Sequence, residues 1–389
     1  MLQNSNLKVG IESQVRCAGS CGGCVLTLEE RREGAGGLDV FVVDGIKRFV
    51  ASLVDRFETE TGGTHRVLSD DKAAFHFGQG DHLMMDEDKL RDYVRITSET
   101  GRGTARGLIS TSLIGKPRHI VEKLAAIQDE ADKLNQAMSM LLVFDPARIM
   151  DRKLQALYDQ NLDAVLGRFL VDEPILNIPP NIAETTSQHE VASFLSRHKF
   201  DQVEAALFPT IEKAAEYAAQ WPDTIRWLTG LIEEGARTGS FTVRLGYAVA
   251  TLRRETDELD GQGMLEYLTK KMSEAAYIDS FGKIYPALPL GIADVTPLSA
   301  RHGFQPVGSV FDADLATAEG WANAVRRVAR RTFISFQTEQ QCSNCPHRNA
   351  CAAAGFSIYK QVMRGKDIAT SDCPIGVREM LDVACEVAN

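Results

Sequence analysis

The chain has 389 residues, of which 44% are hydrophobic and 25% charged, and this is ordinary for a folded globular protein. That length suits one large domain plus a smaller one. A formal net charge of −10 argues against nucleic-acid binding, which normally needs a basic face. No apolar run reaches the roughly 18 residues that span a membrane, and the first residues do not resemble a signal peptide. We therefore expect a cytoplasmic protein whose eight cysteines are mainly metal ligands rather than disulfides.

Apolar strand patterns alternate with amphipathic helical patterns along the first two thirds of the chain. The predicted strands cover residues 7–15, 73–77, 106–114, 138–144, 175–178 and 203–208. The predicted helices cover residues 44–58, 86–97, 117–134, 152–166 and 210–238, the last one broken near Pro222. Six such repeats predict parallel βα units that close into a full or partial barrel, with sites at the C-terminal ends of its strands. Outside this pattern we predict a charged, glycine-rich surface loop at 29–39 and an apolar, β-rich stretch at 241–249.

Three cysteines, Cys17, Cys21 and Cys24, follow the first predicted strand with spacings of x3 and x2. Three thiolates on one short loop can converge on a single soft metal centre, because iron–sulfur clusters select cysteine sulfur. A structural zinc or an electron-transferring cluster usually has four protein ligands, so three ligands leave one iron open to another molecule. A zinc loop or three unrelated thiols are the alternatives.

This cysteine spacing resembles the cluster motif of the radical S-adenosylmethionine (SAM) enzymes. In that family the open iron chelates SAM, and an electron from the 4Fe–4S cluster cleaves SAM to methionine and a 5′-deoxyadenosyl radical. The radical then removes a hydrogen atom from the substrate. The resemblance implies a partial (β/α)6 barrel. It departs from the family pattern at Gly23, where an aromatic residue is usual, and we expect this glycine to loosen the packing over the cluster.

Two glycines and a carboxylate, Gly78, Gly80 and Asp81, follow the second predicted strand. By position they resemble the family's Gly-Gly-Glu-Pro segment, which binds the SAM amino group. Glycine permits close approach of the backbone, and a carboxylate can accept hydrogen bonds from an ammonium group. The alternative is a plain glycine-rich turn with a solvated aspartate.

Polar residues also follow the third and fourth predicted strands. Thr111 and Ser112 could hydrogen-bond SAM hydroxyls or its carboxylate, or could simply cap a strand. Asp145 lies where the family often has a Ser-x-Asp pattern, although the serine position is Val143 here. The SAM contacts that the resemblance implies are therefore Gly78, Gly80, Asp81, Thr111, Ser112 and Asp145. All of them are expected on the same rim as the cysteine loop.

Four more cysteines near the C-terminus suit a fully ligated 4Fe–4S cluster or a structural zinc. They are Cys342, Cys345, Cys351 and Cys373. A predicted hairpin at 276–286 and a predicted helix at 319–331 precede them. This arrangement resembles the SPASM/twitch extension of radical SAM enzymes and implies a small α+β domain with one auxiliary 4Fe–4S cluster. A zinc ribbon is the alternative.

The remaining cysteine, Cys385, could be an ordinary buried residue, a spare ligand or a hydrogen-atom donor. His76, His82 and His189 are expected to be structural or solvated, and we assign them no role. The predicted domains are a radical SAM core at 1–255 and a SPASM/twitch-like auxiliary-cluster domain at 275–389. Because the first strand begins near residue 7, we expect no peptide-recognition domain ahead of the barrel.

Together these features predict an α/β radical SAM oxidoreductase or maturase in a biosynthetic pathway. It would oxidise or cross-link a peptide or small metabolite, with SAM, one SAM-binding 4Fe–4S cluster and one auxiliary 4Fe–4S cluster as cofactors. The resemblance further implies a flavodoxin- or ferredoxin-type electron donor, and no nucleic-acid or membrane partner is expected. The alternatives are a radical SAM epimerase with Cys385 as hydrogen donor and a non-catalytic, zinc-stabilised binding protein.

Overall fold

One sheet of parallel strands with an antiparallel extension organises the molecule. The structure is a computed structural model. It describes residues 8–12, 17, 21–24, 28–33, 40–60, 73–78, 80–100, 106–146, 148, 151–172, 174–207, 213–286, 305–315, 317–338, 340–356 and 373–387. Within these ranges no helix is both long and apolar enough to span a membrane.

The strands pair in the order β11-β10-β9-β1-β2-β3-β4-β6-β7-β8, with β5 beside β4. Their bounds are β1 Lys8–Glu12, β2 Ala73–Gly78, β3 Arg106–Thr111, β4 Met138–Phe144, β5 Leu170–Val171, β6 Ile175–Ile178, β7 Gln202–Leu207, β8 Thr242–Val243, β9 Ala275–Ile278, β10 Lys283–Pro286 and β11 Gly308–Ser309. Every pairing from β9 to β8 is parallel, whereas β10 and β11 are antiparallel. The carboxyl ends of the parallel strands therefore share one rim.

Helices follow the parallel strands and cover the sheet. Their bounds are α1 Leu28–Glu33, α2 Val40–Glu60, α3 Glu87–Thr100, α4 Pro117–Leu134, α5 Arg152–Leu166, α6 Ile182–Thr185, α7 Gln188–Arg197, α8 Ala214–Thr238, α9 Arg244–Thr256, α10 Gly261–Ser273, α11 Ala318–Gln337, α12 Gln340–Ser343, α13 Arg348–Ala353 and α14 Arg378–Val387, with a short 3-10 helix at His82–Met84. Six βα units in sequence make the partial (β/α)6 barrel, so the predicted fold class is confirmed.

Local capping signals set several helix ends. Asp151 accepts hydrogen bonds from the first backbone N–H groups of α5, and Ser187 forms a capping box with Glu190 at the start of α7. Helix α4 begins at Pro117 and ends at Asn135, which adopts the left-handed conformation. These signals are local in sequence, and the predicted bounds of α4 and α5 are confirmed for that reason.

The strands bury both of their faces. On β4, Met140, Leu142 and Phe144 pack in the large core beneath the helices, whereas Leu141 belongs to a second, smaller core. This smaller core also contains Leu108, Ile175 and Ala206, and Cys24 and Val143 pack against it. Because neighbouring residues of a strand point to opposite faces, the smaller core lies inside the barrel. Cys24 therefore belongs to the barrel interior.

Three predictions of secondary structure are wrong. Residues 29–33 of the predicted loop belong to α1, because Glu and Arg favour helix, while residues 34–39 lie outside the described residues. Only Thr242–Val243 of the predicted β-rich stretch is a strand, and α9 follows because Leu245, Val249 and Leu252 bury one helical face. Helix α8 also continues through Pro222 without a break.

Several contacts among the described residues attach the C-terminal region to the barrel, and two of them lie at its sheet and at its last segment. Strand β9 pairs directly with β1, so the predicted hairpin extends the barrel sheet, and Gly282 supplies the positive φ of its turn. On the other side, the Trp221 indole Nε1 of α8 donates to the carbonyl of Ile375 at 2.8 Å. The segment between the two predicted domains, residues 255–275, contains helix α10.

Candidate functional site

The segment from Cys21 to Cys24 is held at the rim by hydrogen bonds at both of its ends. Cys24 N–H donates to the Cys21 carbonyl at 3.1 Å, which closes a turn. The Gly22 N–H donates to Asp145 Oδ2 at 3.0 Å, just after β4 ends. Lys213, just before α8, donates from Nζ to the Cys24 carbonyl. The predicted contact Asp145 is thus brought to the cysteine loop, where it binds the backbone.

Gly23 is required by close packing. A Cβ atom at this position would lie 2.8 Å from the carbonyl oxygen and 2.9 Å from the carbonyl carbon of Ile178, at the end of β6. Real Cβ atoms do not approach a backbone so closely, and a backbone cannot move aside as a flexible side chain can. This contact lies between the loop and the barrel, so the expectation that Gly23 loosens the packing over the cluster stays a prediction. The missing side chain lets the loop lie directly on the barrel.

The three N-terminal thiols lie within each other's electrostatic reach. Burial raises the pKa of Cys21 to about 12, Arg148 opposes this rise, and Asp145, Cys24 and Cys17 add to it. Such a thiol stays protonated near neutral pH unless a cationic centre binds it, because metals bind the thiolate. Among the described residues, no three His, Cys, Asp or Glu side chains converge on one point that would suit a single metal ion. The irons of a cubane cluster occupy separate corners, so its thiolates need not converge in that way.

Arg148 is a site residue that the sequence analysis missed. Its Nη1 and Nη2 atoms are buried, and neither has a hydrogen-bond partner within the described part of the chain. The guanidinium acts electrostatically on both the Cys21 thiol and the Tyr158 hydroxyl. A cavity of about 10 Å³, enough for roughly one water molecule, is lined by Arg148, Tyr158, Asp145 and Ser112, among others. The one available signal was an arginine three residues after the Asp145 that ends β4.

A carboxylate or another anion would satisfy this arrangement. The Tyr158 hydroxyl is also buried without a hydrogen-bond partner among the described residues, and burial raises its pKa. An unpaired guanidinium and a protonated phenol both offer donors, and charge-assisted hydrogen bonds to carboxylate are the strong ones. Arg148 and Tyr158 thus offer donors beside Cys21 that have no partner among the described residues, next to a cavity that holds roughly one water molecule.

Asp81, Thr111 and Ser112 form one buried network. Asp81 Oδ1 accepts from the Thr111 hydroxyl at 2.9 Å and from Leu83 N–H at 3.2 Å. Its Oδ2 accepts from both the backbone N–H and the hydroxyl of Ser112. Burial raises the pKa of Asp81 while these hydrogen bonds lower it. The predicted residues are brought together, but protein donors already fill both oxygens of the carboxylate, which fastens the end of β2 to the end of β3.

The two predicted glycines flank Gln79, which lies outside the described residues. Gly80 has a φ of 85°, a conformation that favours glycine, and Gly78 is paired with Glu12 at the rim. A Cβ at Gly78 would meet only the His76 ring, at 3.6 Å. Gly80 therefore has a conformation that favours glycine, whereas Gly78 is the buried end of β2.

His82 belongs to the core, in agreement with its predicted structural role. It is fully buried, its Nδ1 lies 3.0 Å from the carbonyl oxygen of Ser110, and its ring packs edge-on against Tyr93. Burial lowers its pKa to about 4. His76 Nε2 lies 3.0 Å from the Ser110 hydroxyl. These contacts support the same strand end that carries Thr111.

The C-terminal cysteines form a second group of thiols. Burial raises the pKa of Cys351 well above its usual range, and the neighbouring thiols raise it further, in the order Cys345, Cys373, Cys342 and Cys385. The thiol of Cys385 also hydrogen-bonds to Arg253 of α9 and helps raise the pKa of that guanidinium. The predicted ligands Cys342, Cys345 and Cys373 are thus within electrostatic reach of Cys351, and so is Cys385.

No family model and no curated protein matches the chain. Solved structures of anSMEcpe do match, and anSMEcpe is a radical SAM anaerobic sulfatase-maturating enzyme with a SPASM domain. A native form with bound AdoMet (SAM) has a TM-score of 0.59 at 12% identity and covers 98% of this chain and 96% of that chain. A form with bound AdoMet and the peptide Cp18Cys has a TM-score of 0.55 at 13% identity, with coverages of 98% and 96%. The likeness shows the fold alone: a partial (β/α)6 barrel followed by a C-terminal region, as in anSMEcpe.

Proposed function

We propose that this protein is a radical SAM enzyme of the maturase type. It would cleave SAM reductively at a 4Fe–4S cluster held by Cys17, Cys21 and Cys24, and use the radical to modify a substrate. The observation that carries the proposal is the thiol loop clamped on the inner rim of the barrel, beside the buried and unsatisfied Arg148. A fold like that of enzymes with bound AdoMet supports it.

The residues at the rim fit both the cluster and SAM. Three thiolates would hold three irons, and the fourth iron would stay open to SAM. Arg148 and Tyr158 would bind the SAM carboxylate, and the backbone at Gly78 and Gly80 would accept the amino group. Asp81, Thr111 and Ser112 would act by fixing that turn, because their polar atoms are already engaged with one another. When bound, the cluster supplies the electron that cleaves SAM.

We also propose that Cys342, Cys345, Cys351 and Cys373 hold one auxiliary 4Fe–4S cluster. Their grouping and burial support a shared metal centre. A net oxidation of the substrate removes a hydrogen atom, a further electron and a proton, and an auxiliary cluster can take that electron. A flavodoxin- or ferredoxin-type protein would reduce the N-terminal cluster. The zinc ribbon is the competing possibility for this centre.

A peptide is the favoured substrate class, and its oxidation or cross-linking the favoured reaction. Two of the matching structures contain a peptide together with AdoMet, which supports a maturase over an enzyme of small metabolites. The epimerase alternative needs a thiol that reaches a substrate beside the N-terminal cysteines. Cys385 lies instead with the C-terminal thiols and Arg253, so its position does not favour that role.

The proposal is tested by anaerobic purification, reconstitution with iron and sulfide, and addition of dithionite and SAM. We expect about eight irons per chain, as two 4Fe–4S clusters require, and release of 5′-deoxyadenosine. Cys21→Ser should abolish that release, whereas Cys385→Ser should retain it. Zinc in place of iron, or no SAM cleavage by a cluster-loaded protein, would contradict the proposal.

A further inference from the structure

A buried histidine lies within the C-terminal cysteine motif. His347 stands between Cys345 and Cys351, directly before α13, and its side chain is 0% exposed. The Cys351 N–H donates to the His347 carbonyl at 2.7 Å, so these two residues have the i,i+4 relation of helix neighbours. Side chains at that spacing lie one above the other, and metal-binding helices use it to present two ligands to one centre.

The two nitrogens of the imidazole have different surroundings. Nε2 lies 2.6 Å from Oδ1 of Asp382 on α14, so it carries the hydrogen that the carboxylate accepts. In the neutral ring, Nδ1 then carries the lone pair. Nδ1 is buried and has no hydrogen-bond donor among the residues that the structure describes. A buried lone pair of this kind calls for a hydrogen-bond donor or a metal ion.

Cys345 ties this imidazole to the thiol group. The backbone N–H of His347 donates to the Cys345 thiol, and the Asp382 carboxylate that holds the imidazole lies within electrostatic reach of the same thiol. Cys345, His347 and Asp382 are therefore mutual neighbours, and Cys373 also acts on Cys345. A histidine whose second nitrogen donates to a carboxylate is the usual arrangement of a metal-bound histidine.

We propose that His347 is a ligand of the C-terminal metal centre through Nδ1, oriented by Asp382. The inference rests on the proposed auxiliary cluster and revises its ligand set to one imidazole and three thiolates. A centre with four protein ligands then leaves one of the four thiols outside, and Cys342→Ala tests whether Cys342 is that thiol.

A neutral imidazole in place of a thiolate makes the cluster less negative and raises its reduction potential, as in Rieske centres. A centre with a higher potential accepts an electron more readily. The ligand set would thus favour the oxidising role proposed for the auxiliary cluster.

The test uses the full chain with Cys17, Cys21 and Cys24 replaced by Ala, so that only the C-terminal centre binds iron. The protein is labelled with ¹⁵N-histidine, reconstituted and reduced, and examined by pulsed EPR. We expect a strongly coupled histidine nitrogen that disappears in His347→Gln. The matched control is His198→Gln, because His198 is also held by a carboxylate, with Nε2 2.9 Å from Asp159 Oδ1. The control should keep the coupling.

A second measurement separates a ligand from a merely structural histidine. His347→Cys should retain the cluster, lose the nitrogen coupling and shift the reduction potential to a more negative value. Cys342→Ala should retain the coupled nitrogen. An iron-loaded centre without histidine coupling overturns the assignment of His347 and leaves the auxiliary cluster standing.

If the centre instead contains zinc, the proposed cluster is overturned. X-ray absorption at the zinc edge then decides the role of His347. One nitrogen ligand that is lost in His347→Gln supports its assignment, and a ligand shell of sulfur alone overturns it.

Discussion

At the scale of single residues, the site depends on atoms that are absent or unpaired. Gly23 leaves out a side chain so that the cysteine loop can lie on the Ile178 backbone, and Arg148 keeps a buried charge without a partner among the described residues. A glycine and a buried unpaired charge each lower the stability of the fold. Such unfavourable features are typical of binding sites.

Gly23→Ala should disrupt the N-terminal metal site. The added methyl would meet the Ile178 carbonyl at 2.8 Å, and overpacking of this kind costs about 1–3 kcal/mol. We expect the rate of 5′-deoxyadenosine release to fall about tenfold or more, with reduced iron at this site. Gly22→Ala is the control, because its Cβ would meet only the Pro179 side chain, at 3.0 Å. Equal rates for Gly23→Ala and the wild type would contradict the packing argument.

Arg148→Leu should weaken SAM binding without weakening the fold. Charge-assisted hydrogen bonds contribute about 1.5–3 kcal/mol, so the Kd for SAM should rise roughly 10- to 100-fold in a calorimetric titration of the cluster-loaded protein. The free energy of unfolding should stay the same or rise, because a buried charge is removed. Arg152→Leu, four residues further on an exposed position, should change neither quantity. An unchanged Kd in Arg148→Leu would exclude Arg148 from the SAM site.

At the scale of elements, the rim is shaped by how neighbouring strand ends are fastened to each other. The 3-10 helix after β2 is attached to the end of β3 twice, once through Asp81 and once through His82. Both side chains are buried, so the hydrogen bonds between the 3-10 helix and β3 depend on the protonation states of Asp81 and His82. The turn at Gly80 precedes this helix directly, and its position therefore follows from the same hydrogen bonds.

His82 should make the chain less stable in acid. The pKa of His82 is about 4 in the fold and 6.5 in the unfolded chain. Above pH 6.5 the imidazole is neutral in both states, so stability is unaffected. As the pH falls below 6.5, the unfolded chain binds a proton before the folded chain does, and the free energy of unfolding decreases. The loss levels off near pH 4 at up to about 3 kcal/mol. We expect His82→Asn to lose less stability than the wild type between pH 7 and pH 4 in denaturant titrations of the metal-free chain. The exposed His189→Asn serves as control, and identical pH profiles for all three proteins would refute the prediction.

At the scale of the whole molecule, the barrel and the C-terminal region share one framework. Strand β9 continues the barrel sheet, and the loop after Cys373 is bound to α8 by the Trp221 indole. The second thiol group is therefore held against the barrel rather than on a separate flexible arm. This attachment suits the auxiliary cluster that we propose, which would exchange electrons with a substrate in the barrel.

Trp221→Phe should loosen this attachment. It removes the 2.8 Å hydrogen bond to the Ile375 carbonyl and leaves that carbonyl buried, at a cost of about 1–3 kcal/mol. Hydrogen exchange of residues 373–387 should become faster. Trp227→Phe removes a similar bond, to the Thr186 carbonyl within the barrel, and should leave that segment protected. Equal protection of residues 373–387 in both variants would show that the indole does not hold the C-terminal region.

The sequence by itself determined the βα alternation, the two cysteine groups, the hairpin and the resemblance to radical SAM enzymes. All of these are patterns of period or spacing within short stretches of chain. Tertiary structure decided that Arg244–Thr256 is a helix. Its apolar run fits the helical period and the strand period equally, and only packing against the core selects the helix. It also decided that Gly22 meets Asp145, 123 residues away, and that His347 meets Asp382, 35 residues away. Such contacts leave no local pattern, since folding alone brings the partners together.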